Sequence, residues 1–491
     1  MLSTKDNEAL TRVGPGTVMG DLLRQYWVPA LLSEELPEPD CAPVRVRLLG
    51  ENLIAFRVTS GRIGLIQDAC PHRAASFFFG RNEEEGIRCA YHGWKFDIHG
   101  TCLEQLNEPV GFEKKVKAVA YTCVERGGLV WTYMGPRKQP PPLPDLEPNL
   151  MVEGRGRVNA NMFNWNWFQC MENNMDTSHQ GILHFGSVPL QDALDPIKAQ
   201  QAYAGPVEDL RYIVANRATT FVVRETDFGC SYGAYRPGDE GRNYFRTMHW
   251  LFPWVTMTPV IKLGAMANCV LTVPLDDTHT MSWGMSTGRL DQPADGGARP
   301  GGNRSLLPNT HDWLGRFRLK FFYETAAAGE YDFGVDRHEQ KTGRTVTGYT
   351  GLPSVPVQDG AITWSQGAIV DRSREHLGTT DAMLARVRRR LLDAAKALRE
   401  KGTVPPGVDD PQLYRQRSGW ALVPTEADWW EYLRPLREAF QPVDLAAVPA
   451  ASPAPDLWQP GQNGHSAAQP RKPASHPKKV TGHGRRVKQP A

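Results

Sequence analysis

Two short pieces of this chain each pair a cysteine with a histidine: Cys70-Pro71-His72 and, after sixteen intervening residues, Cys89-Ala90-Tyr91-His92. Thiolate and neutral imidazole both bind transition metals, and these four can meet only if the chain sets two loops side by side. A structural zinc site normally takes two cysteines from one knuckle and two histidines from a helix, so zinc fits the mixed arrangement poorly. A 2Fe-2S cluster suits it better, with both cysteines on one iron and both histidines on the other. Two neutral imidazoles in place of two thiolates leave such a cluster less negative and raise its potential. Eight cysteines in 491 residues are too few for a disulfide scaffold, and Cys41, Cys102, Cys123, Cys170, Cys230 and Cys269 read as buried reduced thiols.

The pattern around the two pairs is β. Pro43 to Gln67 alternates β-branched and polar residues around the turn formers Gly50-Glu51-Asn52 and Ser60-Gly61, as a meander does, and strand-like pieces return from Lys115 to Gly135. The proline-rich run from Pro140 to Pro148 cannot continue a strand and marks the exit. The expected division is therefore an N-terminal segment, 1–39, packing on the catalytic domain; an all-β metal domain, 40–136; a catalytic domain, 137–445; and a disordered basic tail, 446–491. The fold class expected is α+β, a small all-β domain joined to an α+β domain of antiparallel sheet and helices.

A helix is expected over Asn164–His184. Another is expected from Thr380, with Thr379 and Thr380 as candidate N-caps, Leu384, Val387, Leu391, Ala395 and Leu398 on its buried face, and Arg386, Arg388, Arg389 and Arg390 on a solvated one. No run of eighteen apolar residues and no signal-peptide pattern appears, so a cytoplasmic protein without membrane contact is expected. The formal charge of +2 hides seven basic residues after Asp456, which leave about −5 on the rest. Nothing aromatic is interleaved with that basic tail, so a solvated terminus is expected rather than nucleic-acid contact.

A second constellation is Asp176, His179 and His184. Asp176 and His179 would share a helix face, but five further residues carry His184 about 140° round an ideal helix, so the helix must end or bend for both histidines to reach one ion. Two histidines and a distant carboxylate make a facial triad that leaves positions open on ferrous iron; plain polar surface is the alternative.

Taken together, CPHR, CAYHGWKFDIHGTC and the Asp-x2-His-x4-His pattern resemble the Rieske iron-sulfur loops and the mononuclear-iron motif of Rieske ring-hydroxylating oxygenase α subunits. The resemblance covers about residues 10 to 400. Within that family GDLLRQYWVPALLSEELPEP, PVRVRLLGENLIAFR and IVDRSREHLGTTDAMLARVRRRLL look most like the phthalate 4,5-dioxygenase type. One departure is Ala74, where many relatives have glycine.

The resemblance implies a Rieske 2Fe-2S cluster on Cys70, His72, Cys89 and His92, and a mononuclear Fe(II) on His179, His184 and a distant aspartate. Asp359 matches that aspartate best; Asp371, beside Arg372, is the rival, with a capping or salt-bridge role expected for it instead. Asp176 is implied to bridge His179 and the Rieske His92 of a neighbouring subunit, within a homotrimer. No nucleotide-binding Gly-rich turn is present, so electrons are expected from a separate NADH-dependent flavin and iron-sulfur reductase, with or without a ferredoxin.

The reaction implied is dioxygen-dependent hydroxylation of an aromatic substrate, in particular an aromatic carboxylate. Arg236 and Arg246 are candidate anchors for its charge, surface ion pairing being the other reading. Oxidative O-demethylation or monooxygenation on the same metals is the alternative. A Rieske electron carrier needs only about a hundred residues, and a binding module that has lost its chemistry is the remaining option.

Overall fold

The computed structural model describes residues 2–151, 156–290 and 332–440, so the basic tail expected to be disordered lies outside the described residues. Two short helices open the chain, α1 (Thr4–Thr11) and α2 (Val18–Leu23). Each is started by a hydroxyl cap, Ser3 accepting from the Asp6 N–H and Thr17 from the Gly20 N–H. Both helices are tied to the later part of the chain: Asn7 donates to Val370 O, and Arg399 bonds Gly16 O and Asp21. Strand β1 (Trp27–Leu32), buried at every position, goes elsewhere, although the sequence reading left it in the same N-terminal segment. It forms an edge of the first sheet.

That sheet contains the expected meander, β2 (Val44–Leu48), β3 (Glu51–Arg57) and β4 (Ile63–Gln67). A small sheet of β5 (Arg81–Glu83), β6 (Gly86–Arg88), β7 (Lys95–Phe96) and β8 (Cys102–Glu104) follows, and β9 (Ala120–Arg126) and β10 (Leu129–Tyr133) return to the first. The larger sheet has six strands in the order β1-β10-β9-β4-β3-β2, the smaller four in sequence order. One Cys/His loop joins β4 to β5 and the other joins β6 to β7. Behind both lies a separate apolar cluster that includes Ile54, Phe56, Phe77, Ile87, Trp94 and Phe96.

The second region is built on an eight-stranded antiparallel sheet. Its elements in chain order are β11 (Arg157–Phe163), helix α3 (Trp167–Met175), β12 (Thr220–Thr226), β13 (Gly229–Pro237), β14 (Arg242–Leu251), β15 (Val255–Met257), β16 (Asn268–Pro274), β17 (Thr280–Ser286), helices α4 (Val355–Ser365) and α5 (Ala382–Lys401), and β18 (Gly419–Pro424). The order is β11-β17-β16-β15-β14-β13-β12, with β18 sharing one edge of β14 with β15. The architecture is α+β, as the sequence implied.

Two helices differ from their expected form. The segment 164–184 is not one helix: α3 starts at the side chain of Asn166 and ends at Met175. Helix α5 begins at Ala382 behind a 3-10 turn, Thr379–Asp381, and not on a threonine cap. Its arginines are not simply a solvated face. Arg388 is buried and bonds both Glu172 on α3 and Glu375, while Arg372, fully buried, bonds the other oxygen of Glu172 and Asn7 on α1. Arg386 and Arg390 donate to backbone carbonyls of Val223 and Thr226. A helix-period pattern detects apolar faces, but it cannot detect a carboxylate supplied by another helix. Removing one member of such a buried pair typically costs about 3–5 kcal/mol, so Glu172 pins α1, α3 and α5 together.

All eight cysteines are free; Cys41 and Cys123 are half-buried and the rest are buried. Among the described residues no helix is long and apolar enough to cross a membrane.

Candidate metal centres

The two Cys/His loops are copies of one backbone turn. Cys70 N–H donates to Ala75 O at 2.8 Å and Ala74 N–H to Cys70 O at 2.9 Å; in the second loop Cys89 N–H donates to Trp94 O at 2.8 Å and Gly93 N–H to Cys89 O at 3.0 Å. Each turn needs a left-handed residue at its fifth position, Gly93 at φ +75° in one and Ala74 at φ +57° in the other. A Cβ there costs roughly 1–2 kcal/mol, so Ala74 carries a backbone strain that Gly93 avoids.

The turns bury both thiols, Cys70 at 2% and Cys89 at 3% exposure, and bring the His72 and His92 rings to a centroid distance of 4.5 Å. Trp94 stacks on His72 at 4.3 Å and 9°. Burial, with Cys89 beside it, pushes the Cys70 thiol up to about 12. The Nδ1 atom of His72 is buried with no hydrogen-bond partner. Two facing thiols, two adjacent imidazoles and an orphaned ring nitrogen fit a 2Fe-2S cluster held through sulfur on one side and nitrogen on the other.

The second centre is assembled over a much longer reach. Asp176 caps α3 in extended backbone, φ −76° and ψ 130°, so it leaves the helix instead of sharing a face with His179. Its Oδ1 accepts from the Ser178 N–H and hydroxyl, both at 2.6 Å, and its Oδ2 from His179 Nδ1 at 3.1 Å. The chain then winds into a π-helical turn, Gln180–His184, that closes the wide angle between the histidines. His179 Nε2 and His184 Nε2 come within 3.1 Å. The helix both ends and re-coils, which is the break the spacing required.

Asp359, on α4, puts Oδ1 3.5 Å from His179 Nε2 and 3.3 Å from His184 Nε2. That oxygen is buried without a hydrogen-bond partner, and the three donor atoms form a group able to hold a metal ion. Donors 3.1–3.5 Å apart subtend angles of on the order of 100° at an ion whose ligand bonds are roughly 2.1 Å, a facial arrangement. Asp371 instead caps the turn Arg372–Arg374 through Ser373. Burial pushes the Asp176 carboxyl up, but His179 and Ser178 outweigh it and hold the group below its ordinary value. Burial pulls His179 down, and Asp176 more than reverses this.

A cavity of about 230 Å³ opens over the triad, and its lining also includes Tyr203, Asp209 and Arg246. Arg246 is buried, donating from Nη1 to Asp209 at 3.2 Å and from Nε to Thr177 at 3.2 Å; its Nη2 has no hydrogen-bond partner among the described residues. Arg236 is also buried but does not line the cavity: its Nε donates to Asn216 O, and both of its η nitrogens lack partners. The surface ion pairing considered for these arginines is therefore not what the structure has, because β13 and β14 run inside the sheet. Burial pushes the Asp209 carboxyl up against the pull of Arg246 and Tyr244. Sequence reasoning missed Asp209, Tyr203 and Gln358, whose Oε1 lies 2.8 Å from His184 Nδ1. Only Gln358 left a signal, its position next to Asp359.

A family profile described as the Rieske [2Fe-2S] domain matches residues 26–123, and one described as LigXa C-terminal domain like matches residues 132–445. The oxygenase subunit of 3-chlorobenzoate-3,4-dioxygenase from Comamonas testosteroni is 40% identical over 441 residues, covering 87% of this chain and 97% of that one. The phthalate 4,5-dioxygenase oxygenase subunit of Pseudomonas putida is 33% identical, covering 91% and 99%. The 5,5'-dehydrodivanillate O-demethylase oxygenase subunit of a Sphingobium species is 32% identical, covering 80% of each. Proteins of this kind combine the Rieske cluster with mononuclear non-haem iron, use dioxygen and take electrons from reductase or ferredoxin partners. The chain belongs to the Rieske oxygenase α subunits, and it is an oxidoreductase, the terminal oxygenase of such a system.

Proposed function

We propose that this subunit hydroxylates an aromatic carboxylate, with Arg246 holding the carboxylate in the cavity that the iron triad faces. The observation that carries the proposal is the guanidinium itself: it lines the cavity, is anchored by Asp209 and Thr177, and has a nitrogen without a partner among the described residues. A buried guanidinium is a strong, oriented donor to a carboxylate, and chlorobenzoate and phthalate appear in the names of two relatives.

In this reading Cys70, His72, Cys89 and His92 hold the cluster, while His179, His184 and Asp359 hold the iron. The two metals when bound supply stepwise electron delivery and dioxygen activation. The chain's own residues do the rest. Asp176 accepts the Nδ1 proton of His179, and its side chain is 30% exposed, which leaves room for the second donor proposed for it, His92 of a neighbouring copy in a homotrimer. Phe185 and Tyr203 line the cavity and offer apolar surface for an aromatic ring. The electron donor proposed is an NADH-dependent flavin and iron-sulfur reductase.

The test is dioxygen uptake with such a reductase on a panel of aromatic acids and their amides, read against product mass. The acids should turn over, and Arg246→Gln should raise KM for them at least tenfold while changing the amides little. Equal turnover of acids and amides by the parent would sink the carboxylate reading. Addition of two oxygens, addition of one, or release of formaldehyde separates dioxygenation from monooxygenation and demethylation. A protein that binds cluster irons alone and consumes no dioxygen would be an electron carrier.

A further inference from the structure

The two histidines of the triad are oriented by different chemistry. His179 donates its Nδ1 proton to a carboxylate, Asp176, whereas His184 Nδ1 meets the side-chain amide of Gln358 at 2.8 Å. Gln358 is fully buried, and its other amide atom, Nε2, donates to Val346 O at 2.8 Å. A backbone carbonyl can only accept, so the NH2 end of the amide must face Val346 and the oxygen must face His184. An amide oxygen can only accept in turn, so His184 must carry its proton on Nδ1. Its Nε2 lone pair is then left pointing at His179 Nε2 and Asp359 Oδ1, 3.1 and 3.3 Å away. Val346 is itself held, its N–H donating to Ala202 O at 3.0 Å. Ala202 precedes Tyr203 on the cavity wall, so a continuous set of hydrogen bonds runs from that wall to the triad.

We infer that Gln358 is a positioning residue of the iron site: through its amide it holds His184 as the Nδ1–H tautomer, and as a neutral acceptor it leaves His184 a weaker donor than the carboxylate-backed His179. The inference rests on the reading that His184 is an iron ligand. A carboxylate acceptor draws the imidazole proton toward itself and makes the other nitrogen more basic, while an amide does so far less. The site thus has one strong and one weak imidazole.

The test uses the full chain with its cluster in place and its mononuclear iron removed, titrated with Co(II) under anaerobic conditions and followed by the metal's d–d absorption. The parent should bind one Co(II) that Asp359→Ala does not. Gln358→Met, close in size but without an acceptor, should bind it about 10–100-fold more weakly, with the Rieske absorption and the melting temperature of the protein lacking only the mononuclear metal little changed. Gln358→Glu, which restores an acceptor, should bind within a few-fold of the parent but with shifted d–d bands. Affinity and spectrum unchanged in Gln358→Met would overturn the positioning role while leaving the ligand reading intact. If Gln358→Met does not fold, unshifted bands in Gln358→Glu overturn it. No Co(II) binding by the parent would overturn the ligand reading and this inference with it.

Discussion

The two candidate centres of this chain are built from the same residue types by opposite means. The cluster loops make their geometry locally: two matching backbone turns, Cys70 to Ala75 and Cys89 to Trp94, each shape themselves by hydrogen bonds within six residues and meet over one small apolar core. The triad depends on distance in sequence. Its histidines are brought together by a helix end and a π turn, helix α4 supplies both its carboxylate and the amide behind His184, and the end of α3 supplies the carboxylate behind His179. A local site tolerates change elsewhere in the fold. A site assembled from remote elements is tuned by residues that touch no substrate.

The largest effect that could break this contrast is expected in Cys89→Ala. The visible absorption of the cluster and its two irons should be lost completely, while the circular dichroism of the eight-stranded sheet region persists. Retained absorption would refute the local assignment. Next is Asp359→Ala, which should weaken iron at the second centre by at least about 100-fold, measured as bound iron after anaerobic reconstitution, with cluster absorption unchanged. Asp371→Ala should keep full iron, and the reverse result would reassign the third ligand.

Asp176→Asn should be gentler on metal content. Both metals stay, but the charge-assisted acceptor for His179 is lost, and single-turnover electron transfer should slow about 10–100-fold. A parent-like rate would remove the bridging role. The smallest effects sharpen the kinship of the two loops. Gly93→Ala should cost about 1–2 kcal/mol, because it places a Cβ at φ +75° and 2.7 Å from Leu106 Cδ1. Ala74→Gly relieves the same strain but adds unfolded-state freedom of about 0.5–1 kcal/mol, leaving stability within about 1 kcal/mol of the parent. The midpoint for loss of cluster absorption in urea measures both. Equal destabilisation by the two substitutions would mean that the turns are not equivalent.

The β meander was legible because alternation and turn residues act over a few positions, and β2 to β4 fall where Gly50 and Gly61 allow reversals. Asn164–His184 was legible as helical in its first half only. The spacing to His184 required a break without showing where it falls; the Asp176 side chain bonds its own neighbours, Ser178 and His179, and ends the helix there. Arg388 was misread for a different reason. Its burial is decided by Glu172 and Glu375, and no pattern along α5 carries that information.

Residue identity and short spacing were enough to single out the two Cys/His pairs, the Asp176-His179-His184 cluster, the β and α+β division and the family resemblance, since all of these are written within a few turns of chain. Placing β1 in the first sheet required the fold, as did burying Arg246 against Asp209 and setting Gln358 between Val346 and His184. Each depends on a partner far away in sequence. Hydrogen bonds and ion pairs act over about 3 Å, so such partners exist only once the sheet and helices have packed.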